Sequence, residues 1–141
     1  MREARTAVCA CGAVEVQIDG DPVVMAYCHC ESCRSWLGAP VHAAALWPTP
    51  NVTVTKGEER LEVYKRTEAS HRHFCKACGA PVLIRHPSLG LTDVPAGNVR
   101  GLDHAPTIHV HYGEKVMSMK DGLPKFAGMP DPDGSGEQLP E

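Results

Sequence analysis

The 141-residue sequence predicts a mainly β domain of short antiparallel strands, clamped by a structural zinc and carrying few short helices. Three observations carry that expectation. Apolar and β-branched residues alternate over short stretches, turn-forming residues punctuate those stretches, and seven cysteines fall into three tight groups. Alternation matters because successive side chains of a strand point to opposite faces, so one face can be buried while the other stays wet.

Taken in order, residues 1–6 are short and charged, with no apolar leader. Residues 13–18, Ala13-Val14-Glu15-Val16-Gln17-Ile18, alternate as a strand and stop at the turn Asp19-Gly20-Asp21-Pro22. Helix signals are weak, and one or two turns are expected after Cys30. Residues 41–47 form an apolar run that is short and ends at Pro48, which favours a buried strand and makes His42 a core or edge residue. Further strands are expected at residues 51–55, 61–64 and 81–85, separated by Lys56-Gly57 and followed by His86-Pro87 and Leu89-Gly90. From Gly128 the composition shifts to Pro, Asp, Gly, Ser and Glu, too polar to order itself by burial. The expected division is therefore a zinc-binding domain over residues 1–127 and a mobile acidic tail over 128–141.

Aromatic residues make up only 5% of the chain, so metal staples are expected to supply stability that bulky side chains give elsewhere. Structural zinc is worth about 10–16 kcal/mol in finger peptides, comparable with the net stability of a whole domain. The metal-free chain is expected to be largely unfolded. Neither a leader nor a run of about 18 apolar residues is present, which predicts a cytoplasmic protein with reduced thiols and no membrane segment. The formal charge of -3 becomes about -6 once seven thiolates (-7) and two Zn²⁺ (+4) are added, by the rule that metal-bound thiols are deprotonated. Such a balance disfavours general nucleic-acid binding, which depends on excess Lys and Arg against phosphates.

The cysteine groups are Cys9-x-Cys11, Cys28-x-Cys30-x-x-Cys33 and Cys75-x-x-Cys78. Their arithmetic fits one four-thiolate site and one three-thiolate site. Cys75-Lys76-Ala77-Cys78-Gly79 has knuckle spacing, and pairing it with Cys9 and Cys11 gives a closed tetrahedral site of structural type. Pairing of Cys28 and Cys30 with Cys75 and Cys78 is an alternative that would leave Cys9 and Cys11 without a metal partner. A disulfide framework is a further alternative, though an odd cysteine count cannot pair fully within one chain.

Cys28, Cys30 and Cys33 lie within six residues, close enough for one loop to present three sulfurs to an ion. Three protein ligands leave a position for water or substrate, as catalytic zinc sites do, so function is expected here. The vacancy would suit a soft thiol, which zinc converts to thiolate by lowering its pKa. His29 could close the site as a fourth ligand, and a redox thiol pair is another alternative. Glu31 is expected to be solvated, and Arg34 either holds a substrate carboxylate or satisfies the loop.

With these residues in view, the sequence resembles the glutathione-dependent formaldehyde-activating enzyme family, which also includes centromere protein V relatives. The resemblance runs over about residues 8–126. It rests on Cys9-Ala10-Cys11-Gly12, on Cys28-His29-Cys30-Glu31-Ser32-Cys33-Arg34 with Gly38-Ala39-Pro40, and on Arg72-His73-Phe74-Cys75-Lys76-Ala77-Cys78-Gly79. Pro106-Thr107-Ile108-His109 and Asp121-Gly122-Leu123-Pro124 add to it. The resemblance implies a β-tent fold, a structural zinc on Cys9, Cys11, Cys75 and Cys78, and a catalytic zinc on Cys28, Cys30 and Cys33. It also implies a carbon-sulfur lyase of S-(hydroxymethyl)glutathione synthase type, in which glutathione sulfur attacks the formaldehyde carbon. One departure is Val116-Met117, where many relatives carry a Trp shortly ahead of the Asp-Gly-Leu-Pro stretch; Met117 is expected to fill a core gap.

For this reading Arg34, Lys65, Arg66, His71, Arg72 and His73 are candidate anchors for anionic glutathione, and His42 or His73 are candidate proton donors. A different class of function is a noncatalytic zinc module that binds protein or nucleic acid through a local basic edge at Lys65-Arg66 and His71-Arg72-His73.

Overall fold

The structure is a computed structural model that describes residues 4–141. Twelve strands follow one another with one α-helix: β1 (Ala4–Val8), β2 (Glu15–Asp19), β3 (Val24–Cys28), α1 (Glu31–Leu37), β4 (His42–Pro48), β5 (Val52–Lys56), β6 (Leu61–Thr67), β7 (Ser70–Cys75), β8 (Pro81–His86), β9 (Leu91–Asp93), β10 (Ile108–Val110), β11 (Lys125–Phe126) and β12 (Gln138–Leu139). The mainly β expectation holds, and α1 stands where the short helix was expected. Two compact units are formed. One takes the chain up to Val24 together with Ala45–Asp103, and the other takes Met25–Ala44 with His104–Glu141.

In the first unit β1, β2 and β5 make a small antiparallel sheet, with Ala7 opposite Val16 and Ile18 opposite Val52. Val16 and Ile18 are fully buried while Gln17 between them is exposed, as alternation requires. Strands β6 to β9 form an antiparallel run that continues onto residues 46–48 of β4. Val82, Leu83 and Ile84 of β8 are all buried, so this strand is covered on both faces. β6 departs from the expected one-sided burial: Val63 and Tyr64 are exposed. It is the outer strand of its hairpin, and Lys65 and Arg66 on it are the kind of charges that discourage pairing with another edge.

Three strands of this unit escaped the sequence reading, the shortest being β9, which follows the turn at Leu89-Gly90. β1 lies in a stretch read as a charged terminus, and β7 reads Ser-His-Arg-His-Phe-Cys, polar in composition although Arg72 and Cys75 are buried. Burial of Arg72 removes it from the expected basic edge.

In the second unit β10 pairs in parallel with both β3 and β11, and β11 pairs antiparallel with β12. Parallel pairing departs from the antiparallel rule of the rest of the fold. It follows from connection length, since the long excursion between β3 and β10 leaves room for a crossover that a hairpin cannot supply. β12 lies within residues 128–141, and the backbone there also bonds back at Ala127 N–H to Glu137 O, 2.8 Å. Met117 is 36% exposed and Val116 63%, so Met117 does not fill the core. Its segment is irregular and lies at the surface. Among the described residues no helix is long and apolar enough to cross a membrane.

Candidate metal centres

Cys9 directly follows β1, the first strand of the β1–β2 hairpin, and Cys75 ends β7, so two hairpin turns of the first unit carry the four-cysteine group. The sulfurs of Cys9, Cys11, Cys75 and Cys78 all lie within 4.8 Å of one another, with Cys9 to Cys11 at 3.7 Å and Cys11 to Cys75 at 3.8 Å. Gly79, at φ 79°, makes the left-handed turn that a knuckle needs, and its N–H bonds Cys75 O at 2.6 Å. Backbone donors already face the sulfurs. Val14 N–H reaches Cys9 Sγ at 3.3 Å, and the Ala80 and Cys11 amides hold the Cys78 thiol down to about 6. This is the donor set and compactness of a structural zinc site. All seven cysteines are free thiols, and the alternative pairing with Cys28 and Cys30 is not adopted.

The second unit holds Cys28, Cys30 and Cys33, again with all sulfurs within 4.8 Å of one another. Cys28 ends β3, Cys30 caps α1 and Cys33 lies in its first turn. Cys33 N–H donates to Cys30 Sγ at 3.2 Å, and the helix closes where Gly38 N–H meets Arg34 O at 2.8 Å. The Cys28 and Cys33 thiols and that amide hold Cys30 down to about 2, while Cys28 is pushed far up by sharing with the same neighbours. A soft divalent ion fits this trio of thiols.

Arg34 satisfies the loop. Its Nε donates to His29 O at 3.0 Å and its NH2 group to Glu114 O at 3.1 Å. Glu114 also accepts the Glu31 N–H at 3.1 Å, so residues 111–115 buttress the cysteine loop from one side.

His29 does not join the sulfurs. Its Nε2 meets His109 Nδ1 at 2.8 Å, His109 Nε2 meets Asp121 Oδ2 at 2.7 Å, and Lys125 Nζ meets Asp121 Oδ1 at 2.7 Å. His29, His109 and Lys125 are essentially inaccessible to water. Burial, followed by the charges of His109, Lys115 and Arg34, lowers the His29 pKa to about 4, so it is neutral near pH 7. The ring nitrogen of His29 that takes no part in this chain is Nδ1. That atom is buried and has no partner among the described residues.

His42 is buried, as expected of a core residue. Lys65, Arg66, His71, Arg72 and His73 belong to the first unit, whereas the cysteine trio belongs to the second. Burial, with Arg85 and His71 nearby, lowers the His73 pKa to about 4. Sequence reading gave no role to His109, Tyr112, Asp121 or Lys125. The available signal was a histidine set in the apolar Ile108-His109-Val110.

A profile of the glutathione-dependent formaldehyde-activating enzyme family matches residues 4–114. The chain belongs to that family. An uncharacterised lyase of Schizosaccharomyces pombe is 31% identical over 78 residues, covering 55% of this chain and 55% of that protein. A putative glutathione-dependent formaldehyde-activating enzyme of Fusarium vanettenii is 30% identical over 87 residues, covering 59% and 47%. A protein of the same name from Emericella nidulans is 26% identical, covering 59% and 44%. The chain thus spans about half the length of the curated relatives it matches. A solved Rhodobacter sphaeroides protein superposes with a TM-score of 0.55 at 25% identity, over 70% of this chain and 90% of that one. The family expectation is borne out, as are two cysteine clusters able to bind metal ions.

Proposed function

We propose that this protein is a zinc-dependent carbon-sulfur lyase or synthase that joins a small thiol such as glutathione to formaldehyde, or releases it from a related small adduct. Cys9, Cys11, Cys75 and Cys78 would hold a structural zinc, and Cys28, Cys30 and Cys33 a catalytic one. The observation that carries the reading is a trio of clustered sulfurs with no fourth histidine, cysteine or carboxylate among the described residues of its group. Family membership and a lyase-named relative support the reaction class.

Zinc bound at the trio would lower the pKa of an incoming thiol and leave one ligand position free. In the formaldehyde reaction one bond forms between sulfur and the carbonyl carbon, and the thiol proton ends on the carbonyl oxygen; the reverse direction breaks that bond. The chain's own contribution is orientation. Arg34 and Glu114 hold the loop, and the first turn of α1 fixes Cys30 against Cys33. A cytoplasmic setting suits seven free thiols.

Cobalt substitution followed by glutathione titration tests this. Two cobalt equivalents and a glutathione-dependent change in only one set of thiolate bands are expected, and Cys33→Ser should abolish that change. Bands indifferent to glutathione, with both ions bound, would return the protein to the class of noncatalytic binding modules.

A further inference from the structure

In the second unit a cavity of about 750 Å³ is lined by Tyr112, Lys115, Ser118, Lys120, Leu139 and Glu141, among others. Its chemistry is that of an anion receptor. Lys115 and Lys120 supply two ammonium groups, and Ser118 and Tyr112 supply hydroxyls. Glu141 is the carboxylate inside it. Lys115 Nζ lies 3.7 Å from Glu141 Oε2 and 4.7 Å from the centre of the Tyr112 ring. The Tyr112 hydroxyl accepts the Met119 N–H at 2.9 Å and has its proton free for the Glu141 carboxylate, with which it is hydrogen-bonded. Ser118 bonds the same carboxylate.

We propose that this cavity is a carboxylate subsite for the thiol substrate, whose polar groups are engaged in the resting protein by the side chain of Glu141. This rests on the thiol-binding reading of the cysteine trio. Three features support it. Two ammonium groups and two hydroxyls line the wall, so a carboxylate finds both charge and hydrogen-bond donors there. The occupant sits on a short element: β12, which delivers Glu141, is two residues long and among the described residues pairs with β11, and the Lys115–Glu141 pair is long and partly exposed. The cavity wall also belongs to the segment that buttresses the trio, because Tyr112 meets the His29 ring edge-on at 4.8 Å and Glu114 accepts the Glu31 N–H. A peptide thiol anchored by a carboxylate here would be tied to the same scaffold that carries Cys28, Cys30 and Cys33.

A tethered carboxylate competes with a free one through its high local concentration, so removing its charge should strengthen ligand binding. The test uses S-methylglutathione, which keeps the carboxylates of glutathione but offers no thiol, titrated calorimetrically into the metal-loaded full chain. Glu141→Gln should tighten binding several-fold, and Lys120→Gln should weaken it about tenfold, the scale of one charge-assisted hydrogen bond. Lys115→Gln should weaken it similarly; Lys120→Gln covers the case in which loss of the Tyr112 contact disturbs folding. Equal affinity in native, Glu141→Gln and Lys120→Gln proteins, or no binding in any of them, overturns the proposal. Cobalt bands that still respond to glutathione in that event leave the open-metal reading standing. Charge-dependent S-methylglutathione binding with unresponsive bands would instead sink the metal reading and keep the subsite.

Discussion

Asp121 is the keystone of the buried polar chain in the second unit, because it faces Lys125 with one oxygen and His109 with the other. Burial raises its carboxyl, but Lys125, His109 and the Leu123 N–H together outweigh that and hold it well below the usual carboxylate range. Removing it strands an ammonium that is 1% exposed. Asp121→Ala should therefore cost about 3–5 kcal/mol in denaturant unfolding, the penalty of an uncompensated buried charge. The sign with pH follows from a depressed folded pKa: the stabilisation is present above the ordinary carboxylate pKa of about 4 and fades as pH falls through the folded value. The gap between native and Asp121→Ala proteins should accordingly narrow in acid; a gap independent of pH down to acid unfolding would refute the assignment. His29 owes its orientation away from the sulfurs to the same chain, which explains why a histidine between two cysteines need not be their partner.

Strands and turns obey local rules where one face is buried and depart from them where register or an edge intervenes. β2 and β5 appear where alternation placed them, to within a residue or two, while β6 is a strand with almost no buried face, held by β7 alone on one side. Gly57 shows what a turn before such an edge requires. It has φ 76°, and a Cβ there would run into the Ala13 carbonyl oxygen and crowd Val14. Backbone, unlike a long side chain, cannot swing aside. Gly57→Ala should lose about 2 kcal/mol or more, read from thermal or denaturant unfolding, since left-handed strain and overpacking add. A change within a few tenths would mean that the turn relaxes freely.

Each unit carries its own cysteine cluster, and the chain is poor in aromatic bulk, so metal and fold should be lost together. Chelation under reducing conditions should abolish the β-type circular dichroism and restore it on adding zinc, and Cys75→Ser should lower folded yield and bind one metal fewer. A soluble, fully folded Cys75→Ser protein with two bound ions would contradict the four-sulfur assignment. Local spacing made most of this legible in advance: sulfurs two or three residues apart can share an ion in almost any context, and alternating Val, Ile and Glu read as strand wherever they sit. Pairing Cys9 and Cys11 with Cys75 and Cys78 was one of two arrangements the spacing allowed, and hairpin placement chose between them. His29 and His109 are 80 positions apart, and nothing in their spacing joins them. Parallel register between β3 and β10 sets His109 opposite Tyr27, one residue short of Cys28, and β10 with β11 brings Lys125 beside His109. Short-range chemistry is written into residue order because chain geometry fixes it, whereas the buried polar chain and the Glu141 cavity depend on which distant strands pair and in what register.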